Sequence, residues 1–399
     1  MTASPARTEL RVRVIDSLAD VNATAWDVCA NPRVPGDDSE FNPFITHAFL
    51  LACEASGSAT ARTGWQAAHV LVEDARGALL ACAPTYLKSH SQGEYVFDHG
   101  FAEALHRAGG RYYPKVQVAA PFTPAPGRRL LVRPGPAADL ACATLIAGLR
   151  ALRQQAGASS VNVTFPEKPD WVALVEAGFL ARTGEQFHFF NEGYSNFEDF
   201  LAALASRKRK AIRRERKEAL SADIAIEQVT GKDITEAHWD AFFAFYMDTG
   251  SRKWGRPYLT RMFFSLIGET MAEHIVLIMA KRGGRYIAGA LNLIGSHALF
   301  GRNWGAIEEH PFLHFEVCYY QAIDFALARG LRRVEAGAQG EHKLARGYRA
   351  VPTYSAHDYA DPRLARAVAD YLGHERAQVA ANIAAYGELA PFKRGQDKS

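Results

Sequence analysis

The chain has 399 residues, 48% of them hydrophobic, and a net charge of +3. It can fill two ordinary cores, yet it is not a generally basic protein: residues 207–217 (RKRKAIRRERK) alone hold +7, which leaves the remainder net negative. Five scattered cysteines (Cys29, Cys53, Cys82, Cys142, Cys318) without a C-x-x-C pair argue against a disulfide framework and for a reducing compartment. The opening MTASPARTEL lacks the apolar stretch of a signal peptide, and no apolar run approaches the roughly 18 residues of a membrane span. A soluble, cytoplasmic protein with no membrane span is expected.

In chain order, residues 10–15 read as a strand, and a short helix surrounds Trp26, ending at Asn31-Pro32. After the start signal Asn42-Pro43, residues 44–55 read as a helix. Residues 69–77 (HVLVEDARG) are an apolar strand running into a turn, and 80–84 a second strand of small residues. Residues 86–136 are rich in Tyr, Gly and Pro; within them 89–95 and 109–115 read as loops bearing polar and aromatic groups, and 96–100 as a polar strand closing on glycine. A helix over 139–155, Gly157 and a strand over 161–165 follow. Near Phe197 an amphipathic helix opens, with Leu201, Leu204 and Ile212 on one face. Helices over 236–248 and 258–271 lead to an apolar strand and turn (275–283), a small-residue strand (287–291) and a polar strand (301–305). Then come a helix over 312–329, Gly330 and a strand over 332–336. A last helix, 363–386, carries an apolar stripe of Leu364, Val368, Tyr371, Leu372, Val379 and Ile383.

Much the same unit of strand, hairpin, helix and strand is therefore present twice, about two hundred residues apart, in a loose match without a fixed period. That pattern predicts a diverged duplication: two α/β domains with a cleft between them, residues 10–185 and 186–390, the C-terminal helix in the second. Asp98-His99 would occupy in the first half the place of Asn303-Trp304 in the second. As neighbours on a strand, Asp98 and His99 would point to opposite faces and form no dyad.

Residues 206–214 (Ser206, Lys208, Ile212-Arg213-Arg214), the 276–294 hairpin, Gly301 to Gly305, Tyr319 to Ile323 and Arg333 to Gly337 follow in an order that resembles the GNAT-type fold of the Fem aminoacyltransferases. More closely, residues 42–45, 86–98 (YLKSHSQGEYVFD), 109–115 and 337–348 (GAQGEHKLARGY) resemble the FemAB-like subfamily labelled peptidoglycan biosynthesis or recognition proteins. The resemblance spans roughly residues 10–390. It implies tandem GNAT-like (acyl-CoA N-acyltransferase) domains, mixed sheets flanked by helices, and amide-forming acyl transfer. It implies no permanently bound cofactor but a donor substrate, aminoacyl-tRNA or acyl-CoA, and an acceptor that is a cell-wall precursor or small molecule. One departure bears on the donor: where acyl-CoA enzymes carry a glycine-rich pyrophosphate loop, residues 306–312 (AIEEHPF) offer two glutamates, which repel phosphate.

Direct attack by an amine needs a group to take its proton and donors for the developing oxyanion. Glu335, Glu341 and His342 are the candidate catalytic groups; Lys343, Arg346 and Tyr348 the candidate acceptor contacts, Lys343 because a lysine of this loop meets the acceptor's phosphate in Fem enzymes. A mixed-charge surface loop is the alternative. In the first half Lys88, His90, Gln92, Glu94, Tyr95, Asp98 and His99 are weighed as substrate contacts against ordinary loop polarity. Arg302 and Trp304, with residues 335–338, would line the donor, and His314 and Glu316 the acyl pocket. His310 and His314 stand four apart, but Pro311 places His310 at a helix cap, and no metal site is expected. The basic run from Arg207 to Lys217 would hold tRNA phosphates or form a solvated face. A conventional acyl-CoA N-acyltransferase and a non-catalytic muropeptide binder remain the alternative functions.

Overall fold

Hydrophobic runs of residues 275–282 and 285–294 are apolar on both faces, the mark of strands covered on both sides, and they form the centre of one of two units. The structure, a computed structural model, describes residues 9–33, 40–253, 257–337 and 340–393. The first unit comprises residues 1–184 with 353–377, the second 185–352 with 378–399. The chain passes between them inside two strands, Leu180–Phe190 and Arg349–Tyr359. The helix Pro362–Glu388 is shared, and residues 353–377 return to the first unit, where the sequence reading leaves them in the second.

In the second unit, Ile224–Thr230, Ile275–Arg282, Arg285–Ile294 and Ala298–Ala306 pair antiparallel in that order. The next strand, Arg333–Glu335, runs parallel to Ala298–Ala306. A parallel neighbour requires a crossover, and residues 313–328 supply it as a helix. That helix, expected to be continuous, contains a π turn at Glu316–Tyr320 between α-helical Leu313–Phe315 and Gln321–Ala328. The helix Glu236–Lys253 crosses the sheet so closely that a Cβ at Gly305 would stand 2.2 Å from the Phe245 backbone. Gly305→Ala should therefore destabilise this unit by about 3 kcal/mol; a thermal melt within about one degree of the parent would refute the contact.

The amphipathic run after Phe197 is two helices, Phe197–Ala203 and Ser206–Ala219. Leu204, buried and extended, pairs with Phe392, and the Ala205 N–H donates to the Pro391 carbonyl at 2.9 Å, which interrupts the helix.

The first unit repeats the scheme. The hairpin His69–Asp74 and Leu79–Ala83 forms as expected, its turn held by the Asp74 carboxylate accepting from Arg76 and Ala78. Pro84 bends the chain into Thr85–Lys88, and Lys115–Val118 pairs with it. Lys115–Val118 is also parallel to Ser160–Thr164, with the helix Ala138–Gln155 as crossover. Residues 96–100 depart from expectation. Val96 and Phe97 are loop, and His99–Arg107 is a helix because Phe101 and Leu105 fall one turn apart and pack on Tyr112, Tyr359 and Leu364. The counterpart of the strand bearing Asn303 and Trp304 is thus Lys115–Val118, the partner in the parallel pair, and not Asp98-His99.

Candidate active site

The parallel strands of the second unit pair only from Ala298↔Arg333 to Phe300↔Glu335. Beyond Phe300 one strand continues through Gly301, Arg302, Asn303 and Trp304, while the chain after Glu335 turns off at Ala336-Gly337. Among the described residues their pairing is not resumed, and we call the region past its end the wedge. Ala338, expected along it, and Gln339 lie outside the described residues.

Aromatic rings gather beside the wedge. Trp304 meets His314 edge-on at 5.3 Å, His314 meets Tyr319 at 5.4 Å, and Phe315 stacks on Tyr319 at 6.0 Å. The His342 ring lies 5.6 Å from Tyr319, whose hydroxyl is 2.8 Å from Nε2. Burial, with Arg346 and Lys343 nearby, lowers the His342 pKa, so the imidazole is neutral at pH 7. Burial also pushes the Tyr319 hydroxyl far above its ordinary value. With the imidazole proton on Nδ1, the hydroxyl donates to Nε2. Tyr319 belongs to the π turn, a feature that recurs at functional sites.

The loop after the wedge is a short 3-10 helix, Glu341–Arg346. Glu341 is exposed, and its carboxylate accepts from the Tyr386 hydroxyl at 2.8 Å. Lys343 is buried; its ammonium donates to the Gly337 carbonyl at 3.0 Å, and burial brings it down to about 8. No carboxylate pairs with it among the described residues. Arg346 donates to the His342 carbonyl at 2.7 Å and to Glu215 at 2.9 Å, with its guanidinium 3.4 Å over the Phe315 ring. Tyr348 is fully buried against Tyr319, and its hydroxyl has no hydrogen-bond partner among the described residues.

Two expected residues take other surroundings. Glu335 is 3% exposed, accepts from Arg333 Nε at 2.7 Å, and lies 3.9 Å from His188. Burial lowers His188 to about 3, so that ring is neutral and the contact is not ionic. Glu316 is fully buried and held by Arg216 at 2.9 and 3.1 Å, turned to the basic helix. Arg302 is half-buried on the wedge strand.

In the first unit the candidate residues sort by burial. Lys88, Glu94, Asp98 and Lys115 are all buried and form one ionic cluster. Lys115 donates to Ser91 at 2.8 Å, to Glu94 at 2.7 Å and to Asp98, which also accepts from the Tyr112 hydroxyl at 2.8 Å. Lys88 lies 3.8 Å over the Trp65 ring, 3.2 Å from the Gln92 carbonyl and 3.6 Å from Glu94. Burial outweighs the carboxylates and lowers it to about 7. His90 Nε2 is 3.0 Å from the Thr63 carbonyl; Tyr95 is half-buried in left-handed backbone; Gln92 and His99 are exposed. Lys115, the centre of the cluster, is missed by sequence reading because a lone lysine opening a strand looks like a surface residue.

Among the described residues the first unit has no counterpart of the wedge. Its parallel strands rejoin, Gly127 bridging Pro166, with the Gly127 N–H donating to Phe165 at 3.1 Å and the Glu167 N–H to Gly127 at 3.0 Å. The intervening bulge is filled by Phe122 against Trp65, ring centroids 5.0 Å apart. Among the described residues no three His, Cys, Asp or Glu side chains converge as metal ligands would, and no helix is long and apolar enough to cross a membrane.

Two α/β units of this topology, one with a splayed parallel pair, define a tandem GNAT-type fold. The chain belongs to the FemAB-like family, described as peptidoglycan biosynthesis/recognition, which matches residues 17–394. Among solved structures it is similar to FemX, with 11% identity, 88% of this chain and 98% of that one covered, and a TM-score of 0.52. It is also similar to the C-terminal domain of a putative lysylphosphatidylglycerol synthetase from Agrobacterium fabrum, with 10% identity, 89% and 96% covered, and a TM-score of 0.50. A tandem GNAT protein from the clavulanic acid biosynthesis pathway gives 11% identity, 89% and 99% covered, and a TM-score of 0.47. No curated protein matches the sequence.

Proposed function

We propose that the chain is an amide-forming aminoacyltransferase in which an amine of a cell-wall precursor attacks the ester carbonyl of an aminoacyl-tRNA held by the second unit. The observation that carries this reading is the helix Ser206–Ala219. Arg207, Lys208, Lys210, Arg214 and Lys217 are exposed on it without an ion pair among the described residues, while Arg213 is offset by Glu198. On its inner side Glu215 and Arg216 fasten the same helix to the reaction loop and the π turn. A fixed row of cations suits a phosphate backbone. An acyl-CoA donor is the second reading: Glu308 is lowered to about 2 and stays anionic, but Arg282 and Arg285 pair with it, and the segment 306–312 lacks the glycines of a pyrophosphate loop.

In the reaction, the amine nitrogen bonds to the carbonyl carbon and the ester C–O bond breaks. The Tyr319 hydroxyl takes the amine proton as it passes its own to His342 Nε2, and the imidazolium returns a proton to the departing ribose oxygen. Lys343 receives an anionic group of the acceptor, Arg346 orders the loop, and Arg302 and Trp304 border the acyl group. In the first unit the ionic cluster fixes the loop 89–98.

Binding of charged tRNA, measured across several salt concentrations, tests the donor. Changing Arg207, Lys210, Arg214 and Lys217 to Gln should reduce the slope of log K against log salt by about 3. Saturable binding of a CoA thioester with no tRNA signal would move the assignment to an acyl-CoA transferase. Binding of a muropeptide precursor with no turnover of either donor would leave a recognition protein.

A further inference from the structure

Residues 215 and 216 are the only consecutive pair in the basic helix whose charged side chains both turn inward, and each grips a different part of the site. Arg216 holds Glu316 and Asp324 on the bulged helix, with its guanidinium 4.3 Å over Phe197. Glu215 accepts from the Tyr320 hydroxyl and from Arg346 Nη2 at 2.9 Å. Arg346 in turn donates from Nη1 to the carbonyl of His342. A chain of direct contacts thus runs from the helix, through one carboxylate and one guanidinium, to the residue proposed to carry the proton.

We propose that Glu215 is a positioning residue that, through Arg346, fixes the orientation of His342 and offsets the positive charge beside it. The inference rests on the reading of His342 as the proton carrier, but its physical content does not depend on turnover. The charged and titratable groups facing His342 are Glu341, Lys343 and Arg346 from its own loop, Tyr319 and His314 from the bulged helix, and Glu215 behind Arg346. Of these only Glu215 places negative charge against Arg346 itself. Removing it leaves the guanidinium uncompensated, which disfavours the imidazolium.

The test is histidine NMR on the full chain, with the His342 signal assigned by its loss in His342→Gln. Glu215→Gln should lower the His342 titration midpoint by about 0.5–1.5 units. Arg346→Gln should raise it, and the opposite signs are what a packing defect would not produce. Tyr320→Phe, which removes the other hydrogen bond to Glu215 but keeps the Arg346 pair, should leave the midpoint in place. If Glu215→Gln does not fold, Glu215→Asp, which keeps the charge but draws it back from Arg346, takes its place and should lower the midpoint by a smaller amount; a midpoint it leaves unmoved overturns the proposal. A midpoint unmoved by Glu215→Gln, or moved equally by Tyr320→Phe, overturns the proposal. If the midpoints move as stated and no aminoacyl transfer is detected, the positioning role stands and the proposed reaction falls.

Discussion

Replacing Lys115 with methionine is expected to destabilise the first unit by about 3–5 kcal/mol, the usual result of stripping a buried carboxylate of its partner. Lys115 satisfies Ser91, Glu94 and Asp98 together, and all three of its ammonium hydrogens are used. Without it Lys88 alone would face two buried carboxylates, and its ammonium is 3.6 Å from the nearer one. The effect has a definite pH sign. In the parent, burial pushes Asp98 up, but Lys115 with Ser91 and Tyr112 outweighs burial and holds the carboxyl below its ordinary value. Its contribution is present at neutral pH and lost as pH falls through that lowered value. In the variant burial acts unopposed by Lys115, so both carboxyls rise. A group raised in the folded state favours folding at low pH, and the gap between variant and parent should narrow as pH falls from 7 toward about 5. Urea unfolding at those two values checks it. A loss under about 1 kcal/mol, or a gap that widens in acid, would mean that the four charges do not act as one cluster.

His342→Gln is expected to lower the rate of aminoacyl transfer by about 10²–10⁴-fold while leaving tRNA affinity unchanged. Glutamine fills much of the same volume but carries no titratable nitrogen. The parent should hold its rate well into mild acid, because Arg346 and Lys343 add to burial in keeping the His342 pKa below its ordinary value. The acid limb of the rate profile should disappear in the variant. Tyr319→Phe should slow transfer less, since a water can replace a hydroxyl in a relay. A single-turnover assay with charged tRNA measures both. A rate for His342→Gln within about threefold of the parent would send the proton to the acceptor itself or to another residue.

Strand periodicity and turn glycines made both hairpins legible, and the two crossover helices with them. Three features were not legible, each for a physical reason. His99–Arg107 opens on His99 and Gly100, which closes the polar run 96–100 like a strand end, and the fit of Phe101 and Leu105 against Tyr112 selects the helix. The break at Leu204 depends on pairing with Phe392, far along the chain. The π turn at Glu316–Tyr320 carries no Gly or Pro to mark it; Glu215 and Arg216 grip Tyr320 and Glu316 from another helix. The charges of the loop Glu341–Arg346 are legible in the sequence, but the aromatic wall beside it is not, because Tyr319 and Phe315 look like any apolar face. The ionic cluster was half visible. Glu94 and Asp98 read as substrate contacts on a polar loop, whereas Lys115, which holds both, reads as a surface lysine at the start of a strand.

The bridge from Gly127 to Pro166 makes the two halves of a duplicated chain unequal. One copy kept a gap in its sheet, and the other stitched the gap shut and packed Phe122 into the bulge. A chain built from two similar units therefore holds, among its described residues, one parallel pair that closes again and one that does not, and the second of these lies in the second unit.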